Sequence, residues 1–121
     1  MGVKAQKYGG PVSKNYFIMK KINELGITQK YNGYYFLIDI LDMLMNEYPV
    51  IRSFSREIYP VIAKKYNINQ AIIERDIRNV IKKLWQPVLK NKLKQFWDKD
   101  SVPSCCKFIY LIKNYLIMEI A

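Results

Sequence analysis

Twenty Lys and Arg against ten Asp and Glu give this 121-residue chain a formal charge of +10, and half of its residues are apolar. That length holds one domain with a packable core, and the surplus of positive charge favours a polyanionic partner or an anionic surface. With no histidine and only the adjacent pair Cys105 and Cys106, zinc sites of the Cys/His kind and histidine-based catalysis are excluded, and the two thiols read as reduced groups at a helix start.

Residues 1–12, with Gly2, Gly9, Gly10, Pro11 and scattered Lys, read as a flexible arm ahead of one helical domain over 13–121. Lys4 and Lys7 are followed by no apolar stretch of the kind a signal sequence needs, and no apolar run exceeds five residues, as at 34–38. The expected compartment is the cytoplasm, with no membrane partner. Ser13 is placed to cap a first helix over 14–25 that carries Tyr16, Ile18, Met19 and Ile22 as apolar positions, solvated Lys20 and Lys21, and Gly26 as its stop.

Asn32-Gly33 marks a turn before the apolar-rich segment 34–47, where Phe36, Leu37, Ile40, Leu41, Leu44 and Met45 recur at helical spacing. This is the expected central helix. Asp39 and Asp42, three apart, lack the further carboxylates or oriented base of a Mg²⁺ or catalytic site and read as an exposed acidic edge. Tyr48-Pro49 ends the helix. Ser53 or Ser55 caps a short segment through Ile58, and Pro60 falls at the first turn of the next helix or at a kink, with Val61 and Ile62 as core contacts and Ala63 as the small residue of a close helix crossing.

Residues 59–85 then read as two helices joined by a short turn, Tyr66-Asn67-Ile68-Asn69, which is the outline of a helix-turn-helix. On a wheel at roughly 100° per residue, Ile73, Ile77, Val80 and Leu84 of the second helix, 70–84, share one sector with Ile81 at its margin. Opposite them lie Ala71, Arg75, Arg78 and Lys82, flanked by Asn79 and Ile72 on one side and Glu74 on the other. Arginine forks pair bidentately with guanine edges and asparagine with adenine, so the helix carries base-reading as well as phosphate-binding groups. Lys64, Lys65, Ala71, Lys82, Lys90 and Lys92 are the expected phosphate contacts. Pro87 breaks the pattern. A shorter helix over 88–97, built on Val88, Leu89, Leu93, Phe96 and Trp97, follows, and Ser104 caps a last helix over 105–119. There Phe108, Ile109, Ile112, Leu116 and Met118 face inward, leaving Tyr110, Tyr115 and Ile120 for a subunit contact.

The run Tyr59-Pro60-Val61-Ile62-Ala63-Lys64-Lys65-Tyr66-Asn67, then Glu74-Arg75-Asp76-Ile77-Arg78, then Trp85, resembles the C-terminal DNA-binding effector domain of the sporulation master response regulator, the stage 0 sporulation protein A family. Leu25-Gly26-Ile27, Gly33-Tyr34 and Pro103-Ser104 are weaker likenesses. The resemblance implies an all-α domain of about six helices containing a helix-turn-helix, of the winged-helix-like, response-regulator effector class. It also implies binding of an AT-rich promoter element with a TGTCGAA-like core, and Glu74, Arg75 and Arg78 as the residues that approach bases. Ile72 stands where the family has an arginine and Asn79 where it has a histidine, so the target is expected to be altered. The residues before Ser13 are too few for the receiver domain that family members carry, which leaves an excised effector domain or a stand-alone relative; the latter is the expectation, with homodimeric or tandem binding on DNA supplied by the effector domain itself.

Sequence-specific binding of double-stranded DNA in transcription, with helix 70–84 in the major groove and the protein at the nucleoid, is the leading functional expectation. The alternative is a helical interaction module, an antagonist that pairs with a full-length regulator and binds DNA weakly or not at all. No cofactor is expected, and no nucleophile, base and orienting residue assemble into an enzyme.

Overall fold

The computed structural model describes residues 12–46 and 53–120. Residues 1–11 of the expected arm over 1–12 and the Tyr48-Pro49 helix stop lie outside them, and Val12 belongs to the first helix. Among the described residues there are six α-helices: α1 (Val12–Glu24), α2 (Tyr34–Asn46), α3 (Tyr59–Tyr66), α4 (Gln70–Leu84), α5 (Lys90–Lys92) and α6 (Cys105–Ile120). A π-helical segment, Phe54–Ile58, leads into α3, and a kinked segment, Trp85–Leu89, follows α4. There is no strand among the described residues.

Local chemistry sets the ends of these helices. Gly26, at φ +94°, is the left-handed residue that closes α1, where the Ile27 N–H donates to the Ile22 carbonyl and the Gly26 N–H to that of Asn23, both at 2.9 Å. This pairing satisfies two of the carbonyls a helix end leaves open, and the fully buried Ile22 and Ile27 pack beneath it. At the other end α1 reaches back to Val12, so Ser13 lies within the helix rather than ahead of it as expected. Tyr16 is 64% exposed and also departs from its expected apolar role. Lys21 is no solvated lysine either: its Nζ lies 2.8 Å from Glu119 and 3.5 Å from Glu24, tying the first helix to the last.

α2 is the central helix, with nine buried positions and contacts to α1, α3, α4 and α6. Asp39 corrects the reading of an exposed acidic edge. It is buried, accepting the Tyr66 hydroxyl at 2.6 Å, with the Lys65 ammonium at 3.1 Å, so that a carboxylate inside α2 anchors the end of α3. A buried charge survives only when paired and hydrogen-bonded, which these two groups supply. Burial pushes the Asp39 carboxyl above its usual range, against the opposing pull of the Tyr66 hydroxyl and the Lys65 charge. A carboxyl that holds its proton more tightly folded than unfolded contributes stability below the ordinary carboxylate range and loses it as pH rises through the raised value. Urea unfolding between pH 3 and pH 7 should therefore show wild type losing stability relative to Asp39→Asn as pH increases.

Prolines account for both segments. The Tyr59 N–H reaches back five residues to the Phe54 carbonyl, and Pro60, which has no N–H to give, falls in the first turn of α3. Ser53 makes no side-chain cap; instead its own N–H donates to Glu57 Oε2 at 2.9 Å. Gln86, ahead of Pro87, is held at φ −106° and ψ 133°, the extended conformation a following proline imposes. The expected helix over 88–97 shrinks accordingly to α5, after which i→i+3 turns run through Leu93 and Phe96. Leu89 and Leu93 remain fully buried.

α6 begins as expected, with Ser104 Oγ accepting the Lys107 N–H at 3.3 Å. Phe108, Ile109, Leu111, Ile112 and Leu116 are buried, whereas Met118, expected inside, is 55% exposed. Tyr110 and Tyr115, expected outside, are half-buried. Val61 likewise turns outward, at 45% exposed.

Gly33, just before α2, is tightly packed: a Cβ there would lie 3.0 Å from the Asp76 carbonyl oxygen and 3.3 Å from Val80, so that backbone would have to give way. The α1–α2 connection is thereby pressed against α4. Gly33→Ala is expected to destabilise the protein by about 1–3 kcal/mol through overpacking against backbone, read as a lower urea midpoint at unchanged m-value.

Candidate nucleic-acid interface

α3 and α4 are joined by three residues, each with a definite conformational task. Asn67 adopts φ 55°, ψ 52°, and is the only non-glycine residue at positive φ among those described. The Ile68 N–H then donates to the Ala63 carbonyl at 3.0 Å and that of Asn67 to Lys64 at 3.2 Å. This is the same closure Gly26 makes for α1, with asparagine tolerating the left-handed conformation. Asn69, extended at φ −75° and ψ 138°, caps α4 by accepting the Ala71 N–H at 2.8 Å. The chain turns within this span from one helix into the next, and Gln70 Nε2 donates to the Ser55 carbonyl at 3.2 Å to brace the start of α4.

On α4 the buried stripe is Ile73, Ile77, Val80 and Ile81, all at most 3% exposed. Leu84, expected within it, is half-buried, and Ile81, expected at its margin, is inside. The opposite side presents Ala71, Arg75, Arg78, Asn79 and Lys82, all exposed, with Ile72 and Glu74 half-buried on the two flanks. Arg78 has no ion-pair partner among the described residues, whereas Arg75 is engaged by the neighbouring Asp76, its Nε and Nη2 each 3.2 Å from Oδ1. Glu74 lies toward the start of α6, where its backbone carbonyl receives the Cys105 thiol at 3.6 Å.

The other expected contacts separate. Lys64 is exposed at the end of α3, but Lys65 is paired with Asp39 and lies over the Tyr66 ring. The Ala71 amide is already occupied by the Asn69 cap. Lys92 donates to the Glu24 carbonyl at the end of α1, and Lys90 is half-buried. Lys82 stays on the outward side of α4.

Two hollows flank α4. One, of about 110 Å³, is bounded by Lys30, Asn32, Asp76, Asn79 and Lys83, so the α1–α2 connection brings a lysine beside the exposed side of the helix. Sequence reasoning leaves Lys30, Asp76 and Lys83 unassigned; the signal for Asp76 is an acid directly beside Arg75 on a mostly cationic helix. The other hollow, of about 520 Å³, runs between Arg78, Lys82, the Trp85–Gln86 kink and residues Val102 to Cys105. Burial pushes both the Cys105 and Cys106 thiols up, keeping them protonated, and the Tyr59 hydroxyl is raised by its own burial and by the neighbouring Cys106. Low-pKa nucleophilic chemistry is foreign to such thiols.

No group of His, Cys, Asp and Glu among the described residues could hold a metal ion, and no described helix is long and apolar enough to cross a membrane. A protein-family model described as "Sporulation initiation factor Spo0A C terminal" matches residues 18–116 of the chain.

Proposed function

We propose, from the premise that this chain belongs to the Spo0A C-terminal family of sporulation initiation factors, that it binds double-stranded DNA sequence-specifically with α4 in the major groove. The family is one of DNA-binding regulatory domains, not of enzymes, and the fold matches it in being all-helical around a helix-turn-helix. The observation that carries the finer reading is the exposed side of α4. Arg75, Arg78, Asn79 and Lys82 emerge together from a helix whose other side is locked into the core, directly after a turn capped at both ends.

In this reading Arg75 and Arg78 address guanine edges, Asn79 an adenine, and Glu74, on the α6 flank, a cytosine amino group. Ile72 offers only apolar contact, suited to a thymine methyl. Lys64 and Lys82 hold phosphates, joined by Lys30 and Lys83, which the sequence pattern alone does not single out. The family's TGTCGAA-like core is the starting point for the target, altered where Ile72 and Asn79 stand.

Selection of bound duplexes from a randomised pool tests this directly. A winning sequence with fixed G·C positions is the expected result, and recovery of no preferred sequence would overturn the reading. Affinity for the winner should fall steeply with salt, and Lys82→Ala should weaken winning and scrambled duplexes alike while reducing the salt slope by roughly one counterion.

The exposed apolar end of α6, where Ile117, Met118 and Ile120 are 44%, 55% and 61% exposed, favours a protein contact in addition. A second copy on tandem sites, or a full-length regulator, would take it. Sedimentation of the protein alone and on a duplex carrying two adjacent sites distinguishes a DNA-dependent pair from a preformed one.

A further inference from the structure

We infer that Asp76 is a positioning residue for base reading: its buried carboxylate holds the Arg75 guanidinium in the pose that meets a guanine. The inference rests on the DNA-binding reading above and extends it to a residue that reaches no base itself. Asp76 is the single acidic side chain buried on α4, at 5% exposed, while the side chain of Arg75 is 61% exposed.

The geometry divides the guanidinium in two. Nε and Nη2 donate side-on to Asp76 Oδ1, each at 3.2 Å. That leaves both protons of Nη1 and the second proton of Nη2, the end-on fork that pairs with guanine O6 and N7. An arginine loses substantial rotamer freedom when it docks on a base edge, and a side chain already held by its near edge loses less.

Asp76 itself is hard to move. Its backbone carbonyl lies close to Gly33, and the residue lines the hollow shared with Asn79 and with Lys30 and Lys83, two cations on the same side as the carboxylate. The same negative charge also repels phosphate. Asp76 therefore acts on the ratio of specific to non-specific binding from both ends, helping the matched site through Arg75 and penalising every site through repulsion.

The test compares wild type, Asp76→Ala, Asp76→Asn, Arg75→Ala and the Asp76→Ala/Arg75→Ala double variant. The probes are the duplex that wild type selects from a random pool, the same duplex with each G·C pair exchanged in turn for A·T, and a scrambled duplex. Asp76→Ala is expected to lower affinity for the winning duplex about tenfold, a part of what a bidentate arginine–guanine pair discriminates, while affinity for the scrambled duplex stays level or rises. The loss should map to the G·C pair that Arg75→Ala loses and vanish in the Arg75→Ala background, and Asp76→Asn, which keeps an acceptor oxygen, should recover part of it.

A variant that merely folds poorly lowers both affinities together, and that result overturns the inference. Equal gains on both duplexes would also overturn it, reducing Asp76 to a bare charge. A larger gain on the winning duplex would do so by showing that the carboxylate withholds Arg75. If wild type selects no sequence, the DNA-binding reading itself fails, and that is visible before any variant is made.

Discussion

Arg78→Ala should weaken binding to the matched duplex by about 1–3 kcal/mol, roughly fivefold to 150-fold, and relax the base preference at one G·C position. The effect on a scrambled duplex should be far smaller, the loss of a single screened charge. Arg78 is the cleaner test of the reading helix than Arg75. It is exposed, has no ion-pair partner among the described residues, and lies on the side of α4 away from the buried stripe, so its removal leaves no carboxylate uncompensated. Fluorescence anisotropy with the selected duplex and its single-pair variants reads both quantities. Equal affinity of wild type and variant for the matched duplex would remove α4 from the role of reader.

The second large effect belongs to the opposite side of the same helix. Ile77 is fully buried, one helical turn from Ile73 and Ile81, and this stripe fastens α4 to the body of the domain. Ile77→Ala should cost about 2–5 kcal/mol of global stability, the transfer loss of the deleted methyl groups plus the cavity left behind. At 10 °C, in the fraction still folded, base preference should be unchanged because no reading group is touched. The two variants thus separate the two sides of α4: one loses recognition without stability, the other stability without recognition. A circular-dichroism melt beside the anisotropy titration is enough to see it.

How far the sequence leads is clearest on α4 itself. Its bounds match the expected 70–84 because local chemistry marks them: Asn69 can only be a cap there, and Pro87 forces Gln86 out of the helix. The helix-turn-helix is legible for the same reason, since Asn67 is one of the few residue types that accept a left-handed turn. Contacts made across the fold are what stay hidden. Nothing in the spacing of Asp39 and Asp42 says that one of them meets Tyr66, 27 residues away in sequence, and becomes buried, or that Lys65 is thereby drawn toward α2. Val61 and Tyr16 have apolar side chains at helical spacing, yet turn outward, because no helix among the described residues covers them. In the candidate interface, Arg75, Arg78 and Asn79 can be picked by residue type and wheel position, whereas Lys30 arrives from another part of the chain and Asp76 matters only because its carboxylate is enclosed.

The close of α4 has a practical consequence for observing the protein at work. Trp85 follows the helix immediately and is 2% exposed, with its indole N–H enclosed and unpartnered among the described residues, whereas Trp97 is half-buried and donates to the Ser101 carbonyl at 2.8 Å. The chain's two indoles therefore sit in unlike surroundings. A Trp97→Phe protein, excited at the red edge where its tyrosines do not absorb, would carry one indole fluorophore, shielded from aqueous quenchers and coupled to the end of α4. Its emission would report in real time whether that helix stays seated as a duplex arrives.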